Sequence, residues 1–122
     1  MQLEDIRYFF TNPPPTYLCL EQAVCYVLSV LLEGESYGTR LIQKLESEYP
    51  NYRLSDTVLY AALSFLESEQ AVASRLQKVV GRGRPRRMYS VSPQWLDLAQ
   101  KLAALWKNSV TKQPQVSKAV AV

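Results

Sequence analysis

The residues of this 122-residue chain best suited to chemistry form one run, Gly81-Arg82-Gly83-Arg84-Pro85-Arg86-Arg87, with four arginines in seven positions. A guanidinium stays charged at physiological pH and matches two phosphate oxygens at once. Six of the fourteen lysines and arginines fall between Arg75 and Arg87, and no acid occurs between Glu69 and Asp97. The chemistry implied is the binding of a polyanion, above all nucleic-acid phosphate. A loop kept polar for solubility is the plain alternative, but arginine alternating with glycine on acid-free flanks favours contact. Bond-making chemistry has little to work with. The chain has no histidine and only two cysteines, which removes the commonest general base and makes a poor zinc site. The glycines match neither a dinucleotide fingerprint nor a P-loop. The sequence therefore predicts no enzyme, no metal and no cofactor.

The arginines need a protruding support. Ala71 to Val80 and Met88 to Val91 are strand-length segments joined by a glycine-rich connection, which reads as a β-hairpin. Gly83 can turn the chain and Pro85 fixes φ on the way out. Arg82 to Pro85 also resembles an AT-hook core, a motif that lies in the A·T minor groove. Arginine in a narrow groove is favoured on any scaffold that can deliver it.

Behind the hairpin the pattern is helical. Leu3, Ile6 and Phe10 predict a short amphipathic helix, stopped by Pro13-Pro14-Pro15. A second helix runs from Tyr17 to Glu33 on the stripe Leu20, Val24, Val27, Leu28 and Leu31, with Thr16 as its cap and Gly34 at its end. A third runs from Ser36 to Tyr49 on Leu41, Ile42 and Leu45. Tyr52-Arg53-Leu54 reads as a connector, and Ser55 as the cap of a fourth helix, Asp56 to Glu69. Its core face is Leu59, Ala62, Leu63 and Leu66, supported by Phe65. Its other face is Thr57, Tyr60, Ala61 and Ser64. Cys19 and Cys25 are expected as buried free thiols on one helix, which implies a reducing, cytoplasmic compartment. The acidic start lacks a signal peptide's basic region, and no run is apolar enough to span a membrane.

The order helix, helix, turn, helix, basic hairpin is that of a winged helix-turn-helix, a mostly α fold with a small β-hairpin. It assigns Ser55, Thr57, Tyr60 and Ser64 to the major groove. Arg40, Lys44 and Arg53 fall near the DNA backbone, and Lys78, Arg82, Arg84, Arg86 and Arg87 on the wing. The fourth helix carries no Lys or Arg on its outer face, so hydroxyl contacts and DNA shape should carry much of the specificity.

Ser92-Pro93 opens a last helix, with Trp95, Leu98, Leu102, Leu105 and Trp106 at intervals of three and four. Because it lies beyond the wing, these residues are predicted to form a homodimer interface. The organisation expected is a helix and connector over 1–16, a winged-helix domain over 17–92, a dimerisation helix over 93–108 and a disordered tail over 109–122.

Three segments resemble the PadR family of transcriptional regulators: Tyr26 to Gly38 its first helix and turn, Leu54 to Leu63 with Leu66-Glu67 its recognition helix, and Gly83 to Val91 its wing. Ala61 stands where the family often has proline. The resemblance implies a winged-helix repressor of its short class, dimeric on a double-stranded promoter operator at the nucleoid. It also implies that a small-molecule inducer could bind between chains, with Trp95 and Trp106 as candidate linings. The competing reading is a winged-helix module whose basic wing binds an acidic protein.

Overall fold

The computed structural model describes residues 2–11, 15–78 and 85–121. Arg82 and Arg84 therefore lie outside the described residues, as do the expected turn at Gly83, the expected strand end Val79-Val80 and the expected helix stop at Pro13-Pro14. The elements in order are α1 (Leu3–Thr11), β1 (Thr16–Tyr17), α2 (Leu20–Leu31), α3 (Gly38–Glu48), β2 (Tyr52–Arg53), α4 (Asp56–Ser68), β3 (Val72–Gln77), β4 (Arg86–Val91), a 3₁₀ turn (Pro93–Trp95) and α5 (Leu96–Ala121).

Helix α2 is the axle. Ala23, Val24, Tyr26, Val27, Leu28, Val30 and Leu31 are all buried. A helix apolar around so much of its circumference must be covered from several sides, and α4 and α5 supply the cover. Its start is set by Cys19, whose backbone N–H donates to Gln22 Oε1 at 3.0 Å. Thr16, the cap predicted from sequence, instead pairs in parallel with Tyr52 in β1–β2. The expectation of two buried thiols is also corrected: Cys19 is exposed and Cys25 half-buried, both free. Cys19 stands at the helix mouth, where the chain enters from the surface.

Tyr26 ties α2 to α3, its hydroxyl donating to the Leu41 carbonyl at 2.6 Å. Ser55 caps α4 by accepting from the Val58 N–H at 3.2 Å, and Leu59, Ala62, Leu63 and Leu66 are buried beneath it. Just past α4 and its C-cap Glu69, Gln70 holds a left-handed φ of 60°. The Ala71 N–H closes the turn onto the Leu66 carbonyl at 2.9 Å, the job glycine usually has at a helix end.

Strands β3 and β4 pair antiparallel from Val72↔Val91 to Gln77↔Arg86. The base of this hairpin is stitched to the α2–α3 turn. Ser36 N–H donates to the Tyr89 carbonyl at 3.1 Å, and Tyr89 N–H to the Ser36 carbonyl at 2.8 Å.

The last helix departs from the sequence reading. Ala99, Ala103 and Trp106 are buried and belong to the chain's own core, with Trp95, Leu102 and Val110 partly buried there. Small residues one turn apart let α5 lie close on α2, leaving a deep seat for the indole. Trp106 therefore cannot be a residue of a free dimer face; only Leu98 (43% exposed) and Leu105 (60%) of the predicted stripe point clearly outward. The helix also continues to Ala121, past the boundary at 108 and through the stretch expected to be a disordered tail.

Candidate nucleic-acid interface

Helices α3 and α4, joined by the turn through β2, form the helix-turn-helix, and the β3–β4 hairpin stands beside them. The side of α4 away from the core exposes Thr57, Tyr60, Ala61, Ser64 and Phe65. Phe65 was expected to support the core face; it is 48% exposed instead. It lies four residues after Ala61, which on a 3.6-residue turn places it beside the outward face. Ser55, predicted as a base contact, is half-buried and its oxygen is committed to the cap.

Tyr60 leans from α4 onto the first turn of α3. A Cβ on Gly38 would stand 2.7 Å from the Tyr60 hydroxyl oxygen, so the absence of a side chain at Gly38 leaves the place where the phenol rests. The same hydroxyl borders a cleft between helix pair and wing, lined by Tyr37, Gly38, Thr39 and Tyr60 on one side and Pro85, Arg86, Arg87 and Tyr89 on the other. The Arg86 guanidinium lies over the Tyr37 ring, 4.4 Å from its centre. That cation–π contact holds the charged group at the cleft. Burial pushes the Tyr89 phenol up from its ordinary pKa, with Glu67 adding to the rise and Arg87 opposing it, so Tyr89 stays a neutral wall of the cleft.

The positive field of the wing is less uncompensated than its sequence suggests, because its partners come from far away in the chain. Arg75 pairs with Glu35 of the α2–α3 turn. Arg87 donates to Ser74 Oγ at 3.1 Å, and Ser74 in turn donates to Glu67 Oε2 of α4 at 3.0 Å. Arg87 thus helps pin the wing to α4. Lys78 is exposed. Of the three bases assigned to the DNA backbone, Arg40 is exposed. Lys44 is paired with Glu48 at 3.1 Å and lies 3.9 Å from Glu33. Arg53 donates to the Pro50 and Tyr52 carbonyls and faces Glu46 at 3.7 Å. The structure thus brings Thr57, Tyr60, Ser64 and Arg86 to one surface. Tyr37, Thr39 and Phe65 were not assigned to it from sequence.

Among the described residues no group of three or more His, Cys, Asp or Glu could hold a metal ion. None of the helices there is long and apolar enough to cross a membrane.

An exposed helix beside a basic two-stranded wing, both carried on a three-helix core, defines a winged-helix regulator. The sequence profile of the transcriptional regulator PadR-like family matches residues 27–94, and the chain belongs to that family. It is accordingly a transcriptional regulator and not an enzyme.

Among solved structures, the chain is similar to the circadian clock associated protein Pex from Anabaena, at 60% identity over 93% of this chain and 99% of that one, with a TM-score of 0.85. It is also similar to Pex from Synechococcus sp., at 57% identity over 90% and 98% of the two chains, with a TM-score of 0.86. A PadR family regulator from Eggerthella lenta shares the fold at 23% identity, a TM-score of 0.57 and 93% coverage of both chains. Among proteins of curated function no sequence match was found.

Proposed function

We propose that the chain is a dimeric, sequence-specific repressor that places α4 in the major groove and its arginine-rich wing on phosphates or in the adjacent minor groove. The observation that carries this is the continuity of one surface. The uncharged outer face of α4 meets the wing across a cleft whose two sides are joined by Arg86 lying on Tyr37. A groove-entering helix with a basic strand pair at its flank has the layout needed to combine register with phosphate contact. Arg82 and Arg84 extend that basic flank in sequence.

The dimer is proposed to form through the outward side of α5, at Leu98 and Leu105, with the exposed apolar side chains of α1, Leu3, Ile6 and Phe10, adding to the interface. Helices this short hold together only when docked. Trp106 is engaged inside its own chain, which favours a purely structural role for it over lining an inducer pocket. The likeness to the Anabaena circadian clock protein supports a role in clock-linked gene control, exercised at the nucleoid in the cytoplasm.

The test is selection of bound duplexes from a random-sequence pool by the full-length protein, followed by mobility shift and footprinting. A two-fold symmetric consensus, with half-sites about one helical turn apart, is the expected result. Binding with no preference among sequences, or a stable monomer on its selected duplex, overturns the reading.

A further inference from the structure

From Thr57 to Leu66 the outward helix carries ten consecutive residues without a charge. None of α4's residues is Arg, Lys, Asn or Gln, the side chains that make two-pronged contacts with guanine or adenine. Its acids are Asp56, at the very start, and Glu67, which accepts a hydrogen bond from Ser74. What the outer face does offer is hydroxyls, the Ala61 methyl and a phenyl ring half in water at Phe65.

We propose that Ala61 and Phe65 read thymine by packing on its 5-methyl group, so that α4 selects thymine-bearing steps through apolar contact. This rests on α4 being the groove helix. The thymine methyl is the one apolar feature on the floor of the major groove and marks the T side of an A·T pair. Ala61 and Phe65 are four residues apart, about 6 Å along the helix axis, which is close to two base-pair steps of about 3.4 Å. Two methyl groups on neighbouring or next-neighbouring pairs are therefore within the span of the pair. Thr57 and Ser64 lie on the same exposed side and supply the polar contacts that hold register. Exposing a phenyl ring on a folded surface forgoes burial worth having, and a methyl-lined groove restores it.

The probe is the duplex selected by the full-length protein, resynthesised with deoxyuridine replacing thymidine one position at a time. Deoxyuridine pairs as thymidine does and lacks only the methyl. Affinity should fall roughly three- to fivefold at one or two positions per half-site, the value of one buried carbon. Phe65→Ala should lose about as much on the thymidine duplex and become indifferent to deoxyuridine at one of those positions. Phe65→Leu, which keeps an apolar side chain, should stay sensitive there, and thermal melting of both variants reports that the fold is intact. A clear consensus with no deoxyuridine-sensitive position, or sensitivity undiminished in Phe65→Ala, overturns the thymine reading alone. Failure to select any consensus overturns it together with the groove assignment.

Discussion

The rings of Trp106 on α5 and Tyr26 on α2 meet edge to face, their centres 5.6 Å apart and their planes at 69°. Tyr49 and Tyr52 approach the same indole at 5.4 and 5.6 Å. Three tyrosines from three segments thus converge on one residue of the last helix. One of them, Tyr52, lies in the strand just before the cap of α4. Removing the indole should loosen the fold before it touches association. Trp106→Ala should cost about 3–5 kcal/mol, read from chemical denaturation. Trp106→Phe should cost much less, because the buried indole N–H has no hydrogen-bond partner among the described residues. Loss of the dimer by Trp106→Ala at unchanged melting temperature would contradict this.

Association should depend on the residues that point the other way. Leu98 and Leu105 are seven apart, two turns on one outward side of α5. Replacing both by Asp should give a folded monomer in sedimentation equilibrium, with a melting transition close to that of the parent. Operator affinity should fall with it, since two half-sites joined in one dimer gain from effective concentration. A dimer that survives both aspartates places the interface elsewhere.

These two residues also show where sequence patterning stopped. The spacing of Trp95, Leu98, Leu102, Leu105 and Trp106 was legible as a helix, but its apolar stripe was wider than one face. Which edge turned inward depended on Ala99 and Ala103, whose small side chains permit the contact with α2. The wing shows the same limit. Its strands and the Ser55 cap could be read locally, whereas Glu35 lies 40 residues from Arg75 and Glu67 reaches Arg87 only through Ser74. Spacing along the chain carries no information about partners brought in by tertiary structure. Phe65 was misplaced for a related reason: a phenyl at the margin of a helical face looks like core until the neighbouring helices are in position.

Stability should fall in alkali. Burial first, then the charges of Glu48, Tyr49 and Glu33, raise the Tyr26 phenol well above its ordinary value of 10.0. Burial also raises Tyr52 and Tyr89. A phenol kept neutral in the fold contributes stability that is fully present below about pH 10. That contribution is lost as pH rises further and the unfolded chain releases its protons. With no histidine in the chain, no side chain of ordinary pKa titrates between about pH 6 and 8, so denaturant midpoints should be level there. Tyr26→Phe should lose about 1 kcal/mol at neutral pH with its hydrogen bond to Leu41, yet decline less steeply above pH 10. A parallel decline in both proteins would show that Tyr26 is not the titrating group.

The Gly38–Tyr60 approach predicts coupling between the two helices of the pair. Gly38→Ala places a carbon 2.7 Å from the Tyr60 oxygen, and half-exposed Tyr60 can swing outward to relieve it. Melting temperature should therefore change little while preference for the selected duplex over random DNA falls, by about 1 kcal/mol if one hydrogen bond is lost. In a Tyr60→Phe background the nearest remaining ring carbon is at 3.3 Å, and Gly38→Ala should have little further effect. Additive losses in the double variant would mean that the two positions act independently.

The last prediction separates arginines that reach DNA from arginines that hold the wing. Each phosphate neutralised contributes about −0.9 to the slope of log affinity against log salt. Arg82 and Arg84 lie in the run that joins the strands, and replacing both by Ala in a dimer removes four candidate contacts. The slope should become shallower by roughly 2 to 4 units, with affinity for unrelated DNA falling nearly as far as affinity for the selected duplex. Arg87 already donates to Ser74, which is tied to Glu67. Its replacement by Ala should leave the slope nearly unchanged. Hydrogen exchange at the β3–β4 amides should instead speed up, because β4 loses its side-chain link through Ser74 to α4. Arg86, lying on Tyr37, should fall between the two: Arg86→Ala reduces the slope by about 1 to 2 units, and Tyr37→Leu reproduces part of that loss by releasing the guanidinium from the cleft. Equal slope changes from Arg87→Ala and from the Arg82 and Arg84 pair would show that Arg87 contacts phosphate after all. A loss from the Arg82 and Arg84 pair confined to A·T-rich flanks would place those arginines in the minor groove, where a narrow width deepens the negative potential they meet.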